Sequence, residues 1–180
     1  MRLMLVAALA LTLALFNGAN ADELKSGPGE KIGGAFQVKA ITGEKAGDTL
    51  CYVCKYNGES RPAVVLIFTQ KADDNLAKVV KAVDEVQKGN KDLGTVVVGV
   101  GGVEAADFEK LQTTHKLTTP LTVAEDKDGP GAYKLNKDAA MTVLVYAKGG
   151  KIAKTFAFKD TKEASEKAAD IATAAKDILK

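Results

Sequence analysis

Two short apolar runs, Ala63-Val64-Val65-Leu66-Ile67-Phe68 and Thr95-Val96-Val97-Val98-Gly99-Val100, set the frame of this chain. Each has strand length, β-branched residues and little polar alternation, the pattern of a strand covered on both faces of a parallel sheet. Between them Leu76, Val79, Val80, Val83 and Val86 recur at offsets of 3, 4, 7 and 10, one face of a helix. Asp73 or Asp74 can cap its start, and Gly89 lies past its end. Strand, helix, strand in this order is a βαβ unit, which predicts an α/β fold with the first run as its central strand.

The flanking segments extend that frame. Phe36, Val38 and Ala40 alternate with polar neighbours in a short strand, and the glycines within residues 42–48 mark a turn after it. Phe108, Leu111 and His115 share one face of a helix predicted over residues 104–116, and Pro120 to Ala124 is extended. Glu125 to Gly131 reads as an irregular turn, and Ala132 to Leu135 as a single helical turn. Thr142 to Tyr146 and Ile152 to Phe158 flank Lys148-Gly149-Gly150-Lys151, whose paired glycines supply the positive φ angles of a tight hairpin. Asp160 and Glu163 start a last helix with Ala164, Ala168, Ile171, Ala175 and Ile178 inward.

The amino terminus predicts the compartment. Arg2 is followed by the apolar run Leu3 to Phe16 and then by Ala19-Asn20-Ala21, the pattern of a secretory signal peptide over residues 1–21 with cleavage before Asp22. Its apolar core is shorter than the roughly 20 residues that span a bilayer, and no later segment is long and apolar enough. The expectation is a periplasmic or secreted protein with no membrane span after cleavage. Residues 22–34, rich in Gly, Lys and Glu, read as a flexible arm, and residues 35–180 as one domain. The 25 basic and 23 acidic residues are spread without a basic cluster, so nothing points to nucleic acid.

This order of elements resembles the thioredoxin fold, and residues 119–131 look like the extra strand of the peroxiredoxin and periplasmic thioredoxin-like reductase branch. Leu50, Gly58 and the run Ala63 to Phe68 match that branch in spacing, as do the turns at Asp126-Lys127-Asp128-Gly129 and Lys148-Gly149-Gly150-Lys151. The resemblance implies a three-layer sandwich, a mixed central sheet flanked by helices, with an amino-terminal strand extension and a peroxiredoxin-like insert. It also implies a catalytic cysteine just after the central strand. Here that stretch is Thr69-Gln70-Lys71-Ala72-Asp73-Asp74, without a thiol. Ala140-Met141-Thr142 stands where thioredoxins carry a cis-proline, and the peroxiredoxin arginine is missing too, so peroxidase chemistry is disfavoured.

The only thiols are Cys51 and Cys54, upstream of the central strand. In a continuous strand, residues three apart have Cα atoms about 10 Å apart, beyond the roughly 7 Å limit for a disulfide. A bridge therefore needs a turn at Tyr52-Val53, and the resemblance implies a helical turn there and a closed Cys51–Cys54 ring. Three roles stay open. As a redox dithiol, Cys51 attacks, Cys54 resolves and Lys55 supplies a nearby positive charge, although Gly58 and Pro62 prevent any substantial helix from following. As a structural clasp, so short a loop adds modest stability. As a metal clip, one C-x-x-C lacks further ligands. The working expectation is thiol-disulfide exchange with a protein or small-thiol partner and without a cofactor; the alternative is a non-catalytic interaction module with a structural disulfide.

Other candidates have simpler readings. His115, the only histidine, fits helix packing or C-terminal capping better than a metal or base role. Glu125, Asp126 and Asp128 lack the remaining ligands of a calcium loop. Asp73 and Asp74 fit a helix cap, and Gly99-Val100-Gly101-Gly102 lacks the residues of a phosphate loop.

Overall fold

In the computed structural model the structure describes residues 24–180, so the expected signal peptide lies outside the described residues. Seven strands form one mixed sheet: β1 (Val38–Ala40), β2 (Thr49–Leu50), β3 (Ala63–Thr69), β4 (Leu93–Gly99), β5 (Leu121–Ala124), β6 (Met141–Ala147) and β7 (Ile152–Phe158). Their spatial order is β2-β1-β5-β4-β3-β6-β7. The two apolar runs pair in parallel as β3 and β4, with Val65 opposite Thr95, and β6 and β7 close the far side as the expected antiparallel hairpin. The insert supplies β5, parallel to β4 and antiparallel to β1. The amino-terminal extension is thereby tied into the sheet, and β2, which has only two residues and no readable alternation, pairs behind it.

Alternation along β3 divides the core. Ala63, Val65 and Ile67 face one layer, formed by α2 (Asp74–Gly89), α3 (Ala105–His115), α4 (Thr161–Glu166) and α5 (Ala168–Asp177). Val64, Leu66 and Phe68 face the other, with Tyr52, Tyr56, Tyr133 and Phe36. This is the expected three-layer arrangement, its second layer built from aromatic side chains and one short helix, α1 (Tyr52–Gly58). Leu76, Val79, Val80, Val83 and Val86 are all buried, as the helical spacing requires.

Two details differ from the sequence reading. The last helix is two, because Lys167 leaves helical geometry (φ −96°, ψ 8°) and its N–H is shared between the carbonyls of Glu163 and Ala164. Ala164, Ile171 and Ala175 still face the core. And where the sequence predicts a flexible arm, the described residues from Leu24 to Gly34 lie along the sheet. Ile32 N donates to Gly150 O (3.0 Å), Ile152 N to Glu30 O (2.8 Å) and Gly27 N to Lys134 O (3.2 Å), while the Ser26 and Thr142 hydroxyls meet at 2.7 Å. The glycines that read as looseness permit this path. Gly33 packs so closely that a Cβ there would stand 2.7 Å from the Ala132 backbone and the Tyr133 ring.

Candidate functional site

Cys51 opens α1. Its backbone is extended (φ −101°, ψ 103°), its carbonyl accepts the Lys55 N–H at 2.9 Å, and its Sγ accepts the Cys54 N–H at 3.0 Å. One helical turn thus brings the two residues onto the same side, Cα to Cα 5.2 Å, and they are joined as a disulfide. The helix runs seven residues, includes Cys54 and reaches Gly58, so only about one turn follows the pair. It ends where Ser60 takes a left-handed conformation (φ 56°) and Arg61 N donates to Tyr56 O. Cys54 is exposed and Cys51 is half-buried at the helix entrance.

Tyr52 and Tyr56 fix this helix to the sheet. Both rings are buried, and the Tyr56 hydroxyl donates to the carbonyl of Thr95 in β4. The Tyr56 ring lies against Gly94, where a Cβ would sit 2.9 Å from the ring. Burial pushes the Tyr56 phenol far above its ordinary range; Tyr52 is pushed up to about 12, by burial first and then by the charges of Glu44 and Asp48.

Lys55, expected to favour thiol ionisation, is engaged elsewhere. Its Nζ is 2.6 Å from Glu59 and lies over the Tyr56 ring at 5.4 Å. Arg61 meets the same carboxylate at 2.8 Å, and these two hydrogen bonds hold the Glu59 carboxyl below the usual range.

Cys54 lies on the rim of an open groove of about 610 Å³ between α1, the β6–β7 turn and the amino-terminal segment. Val64 and Tyr146 form its floor, Ile32 and Val53 are apolar along its sides, and Lys31 and Lys148 stand at its edge. The groove was not legible because it is assembled from three distant stretches. The one signal available was Ile32, an isolated apolar side chain in a Gly-rich stretch.

The cysteines precede β3 and open α1 after β2, whereas Thr69 to Asp74, where the resemblance places the catalytic cysteine, leaves the carboxyl-terminal end of that strand. There Asp73 is occupied as the N-cap of α2, Oδ1 accepting from Asn75 N and Leu76 N and Oδ2 from the Thr161 hydroxyl. His115 Nε2 meets Asp74 Oδ1 at 2.9 Å, joining the end of α3 to the start of α2 and standing apart from the cysteines. In the acidic turn, Asp126 accepts from Asp128 N and Asp128 pairs with Lys137. Gly101, in the glycine turn after β4, donates its N–H to Lys127 O.

No family model and no curated protein matches the sequence. Solved structures do match. The thioredoxin domain of a thiol-disulfide oxidoreductase from Bacteroides vulgatus is 14% identical with a TM-score of 0.56, over 81% of this chain and 98% of that one. Peroxidoxin BcpB from Mycobacterium tuberculosis is 16% identical with a TM-score of 0.56, over 84% and 98%. The exposed lipoprotein thioredoxin Etrx1 from Streptococcus pneumoniae is 19% identical with a TM-score of 0.51, over 76% and 99%. At these identities the likeness is one of architecture, and with the sheet order and layers above it places this chain in the thioredoxin-like fold.

Proposed function

We propose that the protein is an exported thiol-disulfide exchange protein working through Cys51 and Cys54. The observation that carries this reading is the exposed residue Cys54 lining a groove, its sulfur bonded across one helical turn to Cys51. Solved thioredoxin-like oxidoreductases of the same architecture, and the signal-peptide pattern of residues 1–21, support it. In the exchange, a partner thiolate attacks Cys54 Sγ and the Cys51–Cys54 bond breaks. Cys51 leaves with the electron pair, as a thiolate whose Sγ already accepts the Cys54 N–H. A second partner thiolate then attacks the mixed disulfide and releases Cys54. Two partner thiols are oxidised to a disulfide, the protein pair is reduced to a dithiol, and the two protons pass to the protein thiols. Cys54 therefore forms the mixed disulfide; in the reverse direction, when the reduced pair meets a partner disulfide, Cys54 attacks and Cys51 resolves.

A second reading has an observation of its own. Cys51 Sγ caps α1 and the disulfide pins the start of a helix that rests on the sheet, as a structural clasp in a non-catalytic interaction module would. The two readings separate on the reduction potential of the pair, measured by equilibrating protein lacking residues 1–21 in graded thiol buffers, alkylating and weighing. A potential well above about −300 mV supports exchange. A lower one makes the disulfide a clasp and moves the function to the folded surface.

A further inference from the structure

The groove beside Cys54 has a chemical character that the exchange reading does not use. Its floor is apolar, formed by Val64 and Tyr146, which pair with each other across β3 and β6. Its charged lining is cationic: Lys31 in the amino-terminal segment, Lys148 in the β6–β7 turn paired with that segment, and Arg61 after α1, and no carboxylate among the described residues lines it. Arg61 is committed, because its guanidinium holds Glu59 and donates to the carbonyl of Lys91. Lys31 and Lys148 have no acidic partner among the described residues. Of the acids close by in sequence, Glu59 is neutralised by Lys55 and Arg61, and Glu30, beside Lys31, does not line the groove.

Backbone forms much of the walls. At Gly34 and at Gly149 a Cβ would meet nothing within 4 Å, so main chain borders the open space. Walls of this kind admit an extended chain and present peptide groups to it. The volume is within the range of small-ligand sites, about 300–1,000 Å³. A trough with an apolar floor, bare backbone walls and unpaired cations is complementary to an extended segment carrying carboxylates and one or two apolar side chains.

Building on the exchange reading, we infer that the groove binds the reducing partner, and that this partner is an acidic cysteine-bearing peptide segment. Carboxylates flanking the cysteine meet Lys31 and Lys148, and an apolar neighbour lies over Val64 and Tyr146. The cysteine thiolate is thereby carried to Cys54 Sγ, where the new S–S bond forms as the Cys51–Cys54 bond breaks.

The test is single-turnover reduction of the oxidised protein, followed by alkylation and mass spectrometry, by three peptides with the same central cysteine and Glu, Gln or Lys flanks. Glutathione and dithiothreitol are run alongside. The expected result is that the Glu peptide reacts about tenfold or more faster than the Lys peptide at low salt. That ratio should fall as ionic strength rises and should reach one or invert in the Lys31→Glu/Lys148→Glu protein, with Lys31→Gln/Lys148→Gln between. Equal rates for the Glu and Lys peptides in the unmodified protein overturn the inference, as does a preference that survives charge reversal. Glutathione, a short acidic cysteine peptide, reacting as fast as the Glu peptide overturns the assignment to an extended segment. If dithiothreitol opens the disulfide and the peptides are not distinguished, the groove inference alone fails. If dithiothreitol leaves the disulfide closed, the exchange reading fails and takes this inference with it.

Discussion

The carboxylate of Asp84, buried in the middle of α2, closes on Thr119 from two directions. Oδ1 accepts the Thr119 hydroxyl at 2.6 Å and its N–H at 3.0 Å, while Oδ2 accepts the N–H of Thr118 at 2.9 Å. The Thr119 hydroxyl also meets that of Thr95 in β4. A helix is thereby joined to the loop that launches β5. Asp84→Ala leaves the buried Thr119 N–H without a partner, takes one of two contacts from its hydroxyl and frees the part-buried Thr118 N–H, and should cost about 1–3 kcal/mol in urea unfolding. Asp84→Asn, which can still accept one of these bonds, should cost less. A loss below about 1 kcal/mol for the alanine variant would remove this carboxylate from the supports of the insert.

The two cysteines should differ in what they trap. With Cys51→Ser, a mixed disulfide formed at Cys54 has no resolving thiol and should accumulate on mass spectra of protein incubated with a disulfide substrate. Cys54→Ser should accumulate little, because Cys51 is half-buried. Both variants should lose turnover in disulfide exchange yet keep the fold, at a stability cost of about 2 kcal/mol or less for so short a ring. Equal trapping by the two variants would contradict the assigned polarity.

Gly94→Ala should loosen α1. The added Cβ would meet the Tyr56 ring at 2.9 Å and Val64 Cγ2 at 3.1 Å, neither of which is the far end of a flexible side chain. Overpacking of this kind costs about 1–3 kcal/mol. Tyr56→Phe, which removes only the hydroxyl donated to Thr95 O, should cost about 0.5–1.5 kcal/mol. Chemical denaturation of the two variants ranks them, and an unaffected Gly94→Ala protein would mean that the ring does not rest where described.

All four tyrosines are raised above their ordinary value, in each case mainly by burial of the phenol. A phenol with a raised folded-state pKa favours the fold while the pH stays below its unfolded value of about 10. That contribution is lost as pH rises through the folded value, about 12 for Tyr52. Ultraviolet titration should therefore show no tyrosinate step near pH 10 in native protein and a full step there in urea, with alkaline unfolding above it. A native step at the ordinary value would show the rings open to water.

What the sequence reveals follows from where the information lies. The βαβ frame, the hairpin and the inward face of α2 are local periodicities, each complete within a dozen or so residues, and they were readable in Val64, Val80 and Gly149 alone. Residues 24–34 misled because composition cannot tell glycines that free a chain from glycines that let it pass close to another. Gly33 against Ala132 is of the second kind. The cysteine pair was visible at once, but its setting was not. That setting depends on Tyr56 reaching Thr95 and on Ile32 returning to Gly150, contacts with no local signature. The missing thiol after β3 was readable at once in Thr69 to Asp74, and the structure shows what occupies the entrance of α2, the cap of Asp73.

The bond pair between Glu30–Ile32 and Gly150–Ile152 also bears on how the molecule keeps to itself. β7 is the outermost strand on its side of the sheet, and an open strand edge is a template for pairing with another chain. The returning segment occupies the first part of that edge through the Lys31–Lys151 bridge, and Lys154 sets a charge farther along it. Cutting the segment away would leave an apolar hairpin with its outer hydrogen-bonding groups free. The damage should register as concentration-dependent light scattering before it registers as lost helix, because the strand laid bare is already folded and ready to be extended.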